Sequence, residues 1–343
     1  MKLKLAAGLI AVVGAALASP ALAARVPADY LFAGDINLGA PGWWDYASFD
    51  PNSGRLYVAQ VNTIAVIDTV TGKRVGSVGP LDDAHGAVAV PALGKGFATS
   101  GGDGVLAVFD LANLRITARI TVGRDADAVI YDPATHALLV AVGDAKQLVV
   151  VDPRSGTVAR KIDLPGAPEF PAVDGRGKVF VNLASTSQLA RIDIASGRTE
   201  AVWALPGCHA PHGLAYDHRS GRLFSGCSNK VLVAVDPASG RILATLPIGP
   251  FSDAVAVDEA RRRVFAPNGD GTLTVISEGQ GDRYAVLRTL PTFFGAKSMA
   301  IDPRTGTLFV SHGDMAIKGG LANPVELRFG WDGTKVAVFS PND

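Results

Sequence analysis

At 343 residues, 48% hydrophobic and 19% charged, the chain has ample apolar content to bury a full core and none of the charge excess that marks disorder. Its 32 basic and 32 acidic residues cancel and no basic run stands out, which argues against a general nucleic-acid binder relying on a positive phosphate-facing surface.

The first predicted element is a targeting segment. Lys2 and Lys4, the apolar run 5–17 and the small-residue motif Ala21-Leu22-Ala23 have the layout of a cleavable secretory signal over residues 1–23. The reading that follows is a mature chain of residues 24–343, periplasmic or secreted. No later stretch approaches the ~18 uninterrupted apolar residues of a membrane span. Cleavage removes two lysines and leaves the mature chain slightly acidic. Export would also put Cys208 and Cys227 in an oxidising compartment, where two lone cysteines usually pair.

From residue 30 onward the chain repeats itself. One turn recurs as VIDTVTGKRV (66–75), VFDLANLRIT (108–117), VVDPRSGTVA (150–159), RIDIASGRTE (191–200) and AVDPASGRIL (234–243). A second recurs as SFDPNSGRLYVA (48–59), IYDPATHALLVA (130–141), AYDHRSGRLFSG (215–226), AVDEARRRVFAP (256–267) and AIDPRTGTLFVS (300–311). Each opens a tight turn on Asp, and most supply Gly where a positive φ is required. Aligning the units starts an innermost strand near residues 45, 85, 127, 169, 212, 253 and 297, a period of about 42 residues. Seven units of four short strands with almost no helical periodicity predict an all-β, seven-bladed β-propeller as a single domain. The last unit stops one strand short, at residues 339–343, while 30–38 (YLFAGDINL) stands spare at the other end. Placed at the edge of the seventh blade, that segment closes the ring and covers an exposed edge.

These two turn motifs, V-x-V-hydrophobic-D-x-x-[ST]-G and D-P-x-[ST]-G-x-[LV]-[YF]-V, resemble the YVTN repeats of seven-bladed propellers, in particular the YncE-like periplasmic proteins. The resemblance covers residue 30 to the C-terminus. It implies the fold and an exported location; a member of that group is associated with single-stranded DNA, a partner that the absence of a basic surface here disfavours. Propellers host binding, scaffolding and several enzyme chemistries, so the site has to be argued from its own residues.

The first residue of each predicted innermost strand reads Asp45, His85, Asp127, Glu169, His212, Asp253 and Lys297. All seven are ionisable, in a chain where such residues occupy about one position in five. Innermost strands line a propeller's channel, so these side chains are expected to converge at one mouth. A converging set of this kind can hold a divalent metal, with His85, His212, Asp127 and Glu169 as its ligands, or perform acid–base work, with His85, His212 and Lys297 as candidate catalytic groups. It can equally be a hydrated channel that tolerates charge. Trp43 and Trp44 stand just before Asp45, and Phe170, Phe251, Phe293 and Phe294 flank other ring positions, where rings could stack on a ligand. A second tier, at the last residue of each second strand, reads Gln60, Ser100, Val142, Leu183, Cys227, Asn268 and His312, of which His312 joins the candidate binding residues.

Two departures from the repeat remain. Between His312 and Thr334 the chain runs through 313–333 where other blades use a short hairpin, as a functional lid or a cover for the closure seam would. In blade 5, Cys208 and Cys227 are placed to form a disulfide closing a loop worth about 3 kcal/mol, or, with His209 and His212, a metal-thiolate site. His136 and His218 fall in far-side turns and read as solvated surface.

Three functions fit this pattern. One is a small-molecule or metal-binding propeller using the ring. The second is a lyase, hydrolase or isomerase acting on a sugar-acid or lactone-like substrate. The third is a monomeric scaffold that meets a protein partner at its rim.

Overall fold

The computed structural model describes residues 30–39, 42–318 and 326–342, with side chains omitted for 315–332. Residues 1–23, expected from sequence to be a targeting signal, and residues 319–325 of the blade 7 insertion lie outside the described residues. What is described is seven four-stranded antiparallel sheets arranged as blades. Blade 1 runs Trp44–Asp50, Arg55–Gln60, Thr63–Asp68 and Lys73–Val78, and each later blade repeats that inner-to-outer order. Among the described residues no helix is long and apolar enough to cross a membrane.

The recurrent Asp residues build the turns as their chemistry dictates. Asp50, Asp132, Asp217 and Asp302 are buried at the ends of innermost strands, and each carboxylate accepts a backbone N–H from two residues on, at 2.8 to 3.2 Å. A carboxylate used this way replaces the hydrogen bond that the chain gives up on leaving the sheet. The aromatic of the repeat falls at one position of the second strand. Tyr57, Phe97, Phe180, Phe224, Phe265 and Phe309 are all at most 3% exposed there, with Leu139 in blade 3. These residues seed apolar clusters that lie between neighbouring blades: Phe97, Leu106 and Val108 of blade 2, for example, pack on Val129, Leu138 and Val140 of blade 3.

Blade 7 closes as the repeat count requires. Strand Tyr30–Asn37 pairs antiparallel with Glu326–Pro341, Tyr30 opposite Pro341 and Asn37 opposite Lys335. Tyr30 also reaches the neighbouring blade: its hydroxyl donates to Asp258 Oδ2 at 2.9 Å, and its ring meets Phe265 edge-on at 4.8 Å. The closing strand is therefore held within blade 7 by its ladder and to blade 6 by side chains. The blade 7 insertion extends the hairpin itself, with Leu308–Lys318 still paired to the following strand as far as Lys318 opposite Glu326.

Candidate functional site

The seven ring residues do meet. Asp45, His85, Asp127, Glu169, His212, Asp253 and Lys297 line one cavity of about 240 Å³ at the channel mouth, together with Tyr46 and Asp125. The local reason is a bulge that the repeat pattern does not reveal. In blades 1 to 5 the ring residue stands second in its strand, and register with the next strand slips just there, between Trp44 and Ala47, Ala84 and Ala87, Ala126 and Val129, Pro168 and Pro171, and Pro211 and Leu214. A bulge leaves its residue outside the ladder and turns the side chain off the sheet face, here into the channel. Blades 6 and 7 reach the same end differently. Their inner strands begin only at Ala256 and Ser298, and the Asp253 N–H donates to the Lys297 carbonyl at 3.1 Å, tying the two ring positions together.

Within the cavity the side chains sort into three groups. His85 Nδ1 lies 2.7 Å from Asp45 Oδ2 and 3.4 Å from Asp127 Oδ1, and its Nε2 faces Asp83 Oδ2 at 3.3 Å. His212 Nδ1 lies 3.1 Å from Glu169 Oε2 and 3.9 Å from Asp253 Oδ1. Lys297 pairs with the remaining oxygen of Asp253. Tyr46 completes the floor, its hydroxyl 3.5 Å from Asp127 Oδ2 and its ring 5.1 Å from Phe170.

Burial and charge act against each other here. Burial alone would lower His85, but the hydrogen bond to Asp45 and the charges of Asp127, Asp45 and Asp83 outweigh it and lift the imidazole from 6.5 to about 9. His212 and Lys297 are raised for the same reason: desolvation is overcome, by Glu169 for the imidazole and by Asp253 and Asp45 for the ammonium. Asp127 is raised well above the usual carboxylate range, first by desolvation and then by Asp45 and Glu169. Desolvation likewise raises Asp45 and, at the rim, Asp125. Acidic side chains around the cavity outnumber Lys297 and the two imidazoles, and the raised proton affinity of Asp127 reflects that crowding of carboxyls.

Among the described residues, one group has His and carboxylate donor atoms close enough to share a metal ion: Asp45, His85 and Asp127, all within 4.8 Å of one another. Of the four ligands expected from sequence, His85 and Asp127 thus fall together with Asp45, while His212 and Glu169 form a separate pair. Cys208 and Cys227 are joined in a disulfide, which removes the thiolates that the alternative Cys/His metal site requires. The bulge also shifts Cys227 so that it opposes Pro211 and not His212.

Other expected residues lie elsewhere. His312 is 3% exposed, donates to Asp35 Oδ1 through Nε2 at 3.0 Å, and stacks on Phe293 at 3.7 Å between ring centroids. It packs the seam and does not line the cavity, and burial lowers its proton affinity. The rest of that second tier is buried too, because these side chains point into the blades: Ser100 bonds the Asp82 backbone, and Asn268 donates to Thr272 and Thr274. Trp44 is 4% exposed and opposes Gln60, whereas Trp43 is half-buried with its ring 5.6 Å from His85.

Sequence reasoning missed a recurrent position two residues before the ring, where the backbone turns left-handed: Asp83 at φ 60, Asp125 at 58, Ala210 at 45, Phe251 at 54 and Gly295 at 81. It also missed a second cavity of about 360 Å³, lined by Phe251, Phe294, Ser228, Gly269 and Gly295 and sharing His212, Asp253 and Lys297 with the first. Part of the signal was available in the aligned repeats, where position 251 matches Trp43 of blade 1 and departs from the small or acidic residues of blades 2, 3, 4, 5 and 7.

Fold and mouth together define a seven-bladed β-propeller with a charged channel opening. Among solved structures the chain is similar to Kuenenia stuttgartiensis hydrazine synthase, at 14% identity and a TM-score of 0.68, over 85% of this chain and 96% of that one. That likeness bears on the fold. No family model and no curated protein sequence matches the chain.

Proposed function

We propose that this chain is an exported, YncE-like binding propeller that works as a monomer and takes a small polar ligand or a metal ion at its channel mouth. The observation that carries the reading is the convergence of one ionisable residue from each of seven blades on a single cavity. Burying that many charges is expensive unless each is compensated, and Asp127 has only long contacts, at 3.4 and 3.5 Å, to offset its desolvation. A fold that needed only a filled channel would place apolar or neutral side chains there. Metal binding would use Asp45, His85 and Asp127 and would have to displace the imidazole proton, so its affinity would rise with pH. Export rests on the sequence pattern of residues 1–23 and agrees with the disulfide.

The test is a thermal-shift screen of the mature protein against small polar metabolites and Mg²⁺, Ca²⁺ and Zn²⁺, with metal analysis of the purified sample. A stabilising compound or ion should lose its effect in His85→Gln and in Asp45→Asn/Asp127→Asn. An unresponsive wild type, or a response unchanged in these variants, would overturn the reading.

Two histidine–carboxylate pairs facing one cavity also favour a second reading, in which the mouth is the active site of a lyase, hydrolase or isomerase. His212 or His85 would act as base, and Lys297 would stabilise developing negative charge. Turnover of a sugar-acid or lactone substrate that vanishes in His212→Ala, with the fold intact, would establish it.

A further inference from the structure

Phe251 is the most exposed large apolar side chain lining the mouth cavities. It is 62% exposed, and its neighbour across the second cavity, Phe294, is 46% exposed. Solvent exposure of one large apolar residue is ordinary. What sets Phe251 apart is its backbone, which at φ 54 occupies a left-handed conformation that bulky residues rarely adopt. The equivalent residues of blades 2, 3, 5 and 7 are Asp, Asp, Ala and Gly, all small or tolerant of that conformation. Blade 6 therefore accepts both strain and exposure to hold an aromatic ring over a cavity that shares His212, Asp253 and Lys297 with the charged one.

Charge is graded along the two joined cavities. In their shared wall, Lys297 is matched by Asp253 and His212 by Glu169. Away from that wall, at Asp127 and Asp125, close cations are scarcer: the ion-pair contact of Asp127 is to His85 at 3.4 Å, and that imidazole is already bonded to Asp45 at 2.7 Å. A ligand fitting both ends needs a positive group for the inner cavity and a flat apolar group for the outer one. A bare metal ion leaves the phenylalanines unused, and an anion meets the surplus of carboxylates. Building on the mouth-binding reading above, we infer that the ligand is a small organic ammonium bearing an aryl group. Its ammonium lies among Asp45, Asp127 and Glu169, and its ring lies against Phe251 and Phe294. An ammonium in that position donates to carboxylates while the outer rings exclude water from the contact.

Isothermal titration of the mature protein with phenethylamine, ethylamine, 3-phenylpropionate and Zn²⁺ tests this. Phenethylamine should bind at least tenfold more tightly than ethylamine, and 3-phenylpropionate should bind more weakly than either. Asp127→Asn should weaken phenethylamine at least tenfold. Phe251→Ser/Phe294→Ser, at exposed loop positions, should reduce it to the level of ethylamine while leaving ethylamine unchanged. Equal binding of the acid and the amine, or no gain from the ring, overturns the assignment. If Zn²⁺, ethylamine or the acid binds in a manner sensitive to the ring substitutions while phenethylamine does not, the aryl-ammonium class is wrong and the mouth is still a binding site. If all four probes and the metabolite screen leave wild type and variants alike, both readings fall.

Discussion

His85 is the residue on which the mouth depends most. It touches three carboxylates, at 2.7, 3.4 and 3.3 Å, and makes ion-pair contacts to both Asp45 and Asp127. Its folded-state value near 9 lies above the ordinary 6.5, so the stability it contributes is fully present below about pH 6.5 and is lost as pH rises through about 9. His85→Gln should cost about 2–4 kcal/mol at pH 7, as removal of one partner of a buried charge pair does. Denaturant titrations from pH 6 to 10 should show the wild-type advantage shrinking until the two proteins converge, and a gap that widens with pH would refute the assignment. That His85 lines the mouth cavity was legible in the sequence, because equivalent repeat positions share an environment and the run of ionisable residues at one of them stood out. Its partners were not. Whether His85 meets Asp45 or Glu169 depends on how neighbouring blades are rotated and on the bulge that moves His85 off its ladder. Neither is encoded in the alternation of apolar and polar positions. The same limit explains Ser100 and Asn268, whose polarity serves the loop entering blade 2 and a hairpin of blade 6.

At the scale of the element, blade 5 is the blade with a covalent staple. Cys208, in the loop entering it, is bonded to Cys227 at the end of its second strand, with 19 residues of sequence separation, and both pack among Leu189, Leu205, Leu214 and Val233. Closing a loop of that size restricts the unfolded chain by about 3 kcal/mol. Cys208→Ala/Cys227→Ala should lower stability by about that amount, a reductant should reproduce the loss in the wild type, and the oxidised protein should titrate with no free thiol. Because Pro211 opposes Cys227, the staple also sits against the bulge that aims His212, so the double variant should broaden or shift the His212 imidazole resonance while leaving that of His85 in place. The blades themselves were read correctly from their turns and aromatics. Asp50, Asp132, Asp217 and Asp302 announce the same carboxylate-capped turn, and Tyr57, Phe97, Phe180, Phe224, Phe265 and Phe309 the same buried ring, so each repeat confirmed the others. Blade 7 lacked that redundancy: its insertion proved to be a longer hairpin, a choice set by pairing between Leu308–Lys318 and Glu326–Pro341 that no other repeat foreshadows.

At the scale of the molecule, stability turns on closing the ring. The Tyr30 hydroxyl and the Asp258 carboxylate are both buried, at 2% and 3% exposure, and join blade 7's outermost strand to blade 6. Tyr30→Phe should cost about 1–3 kcal/mol, because the carboxylate loses a donor it cannot replace with water. The measurable sign is faster unfolding in denaturant. Removing residues 30–37 should do more, leaving the last blade with three strands and a bare edge along Glu326–Pro341, and light scattering should then report association. The wild type and Tyr30→Phe should stay monodisperse under the same conditions. The ring at the mouth has a consequence of another kind. Its seven positions lie outside the apolar clusters that bind blade to blade, so they behave like the wheels of a combination lock mounted on a rigid barrel. A duplicated gene could turn one wheel at a time, exchanging a histidine for a lysine or an acid for an amide, and try a new ligand with every substitution while the barrel stays as it is.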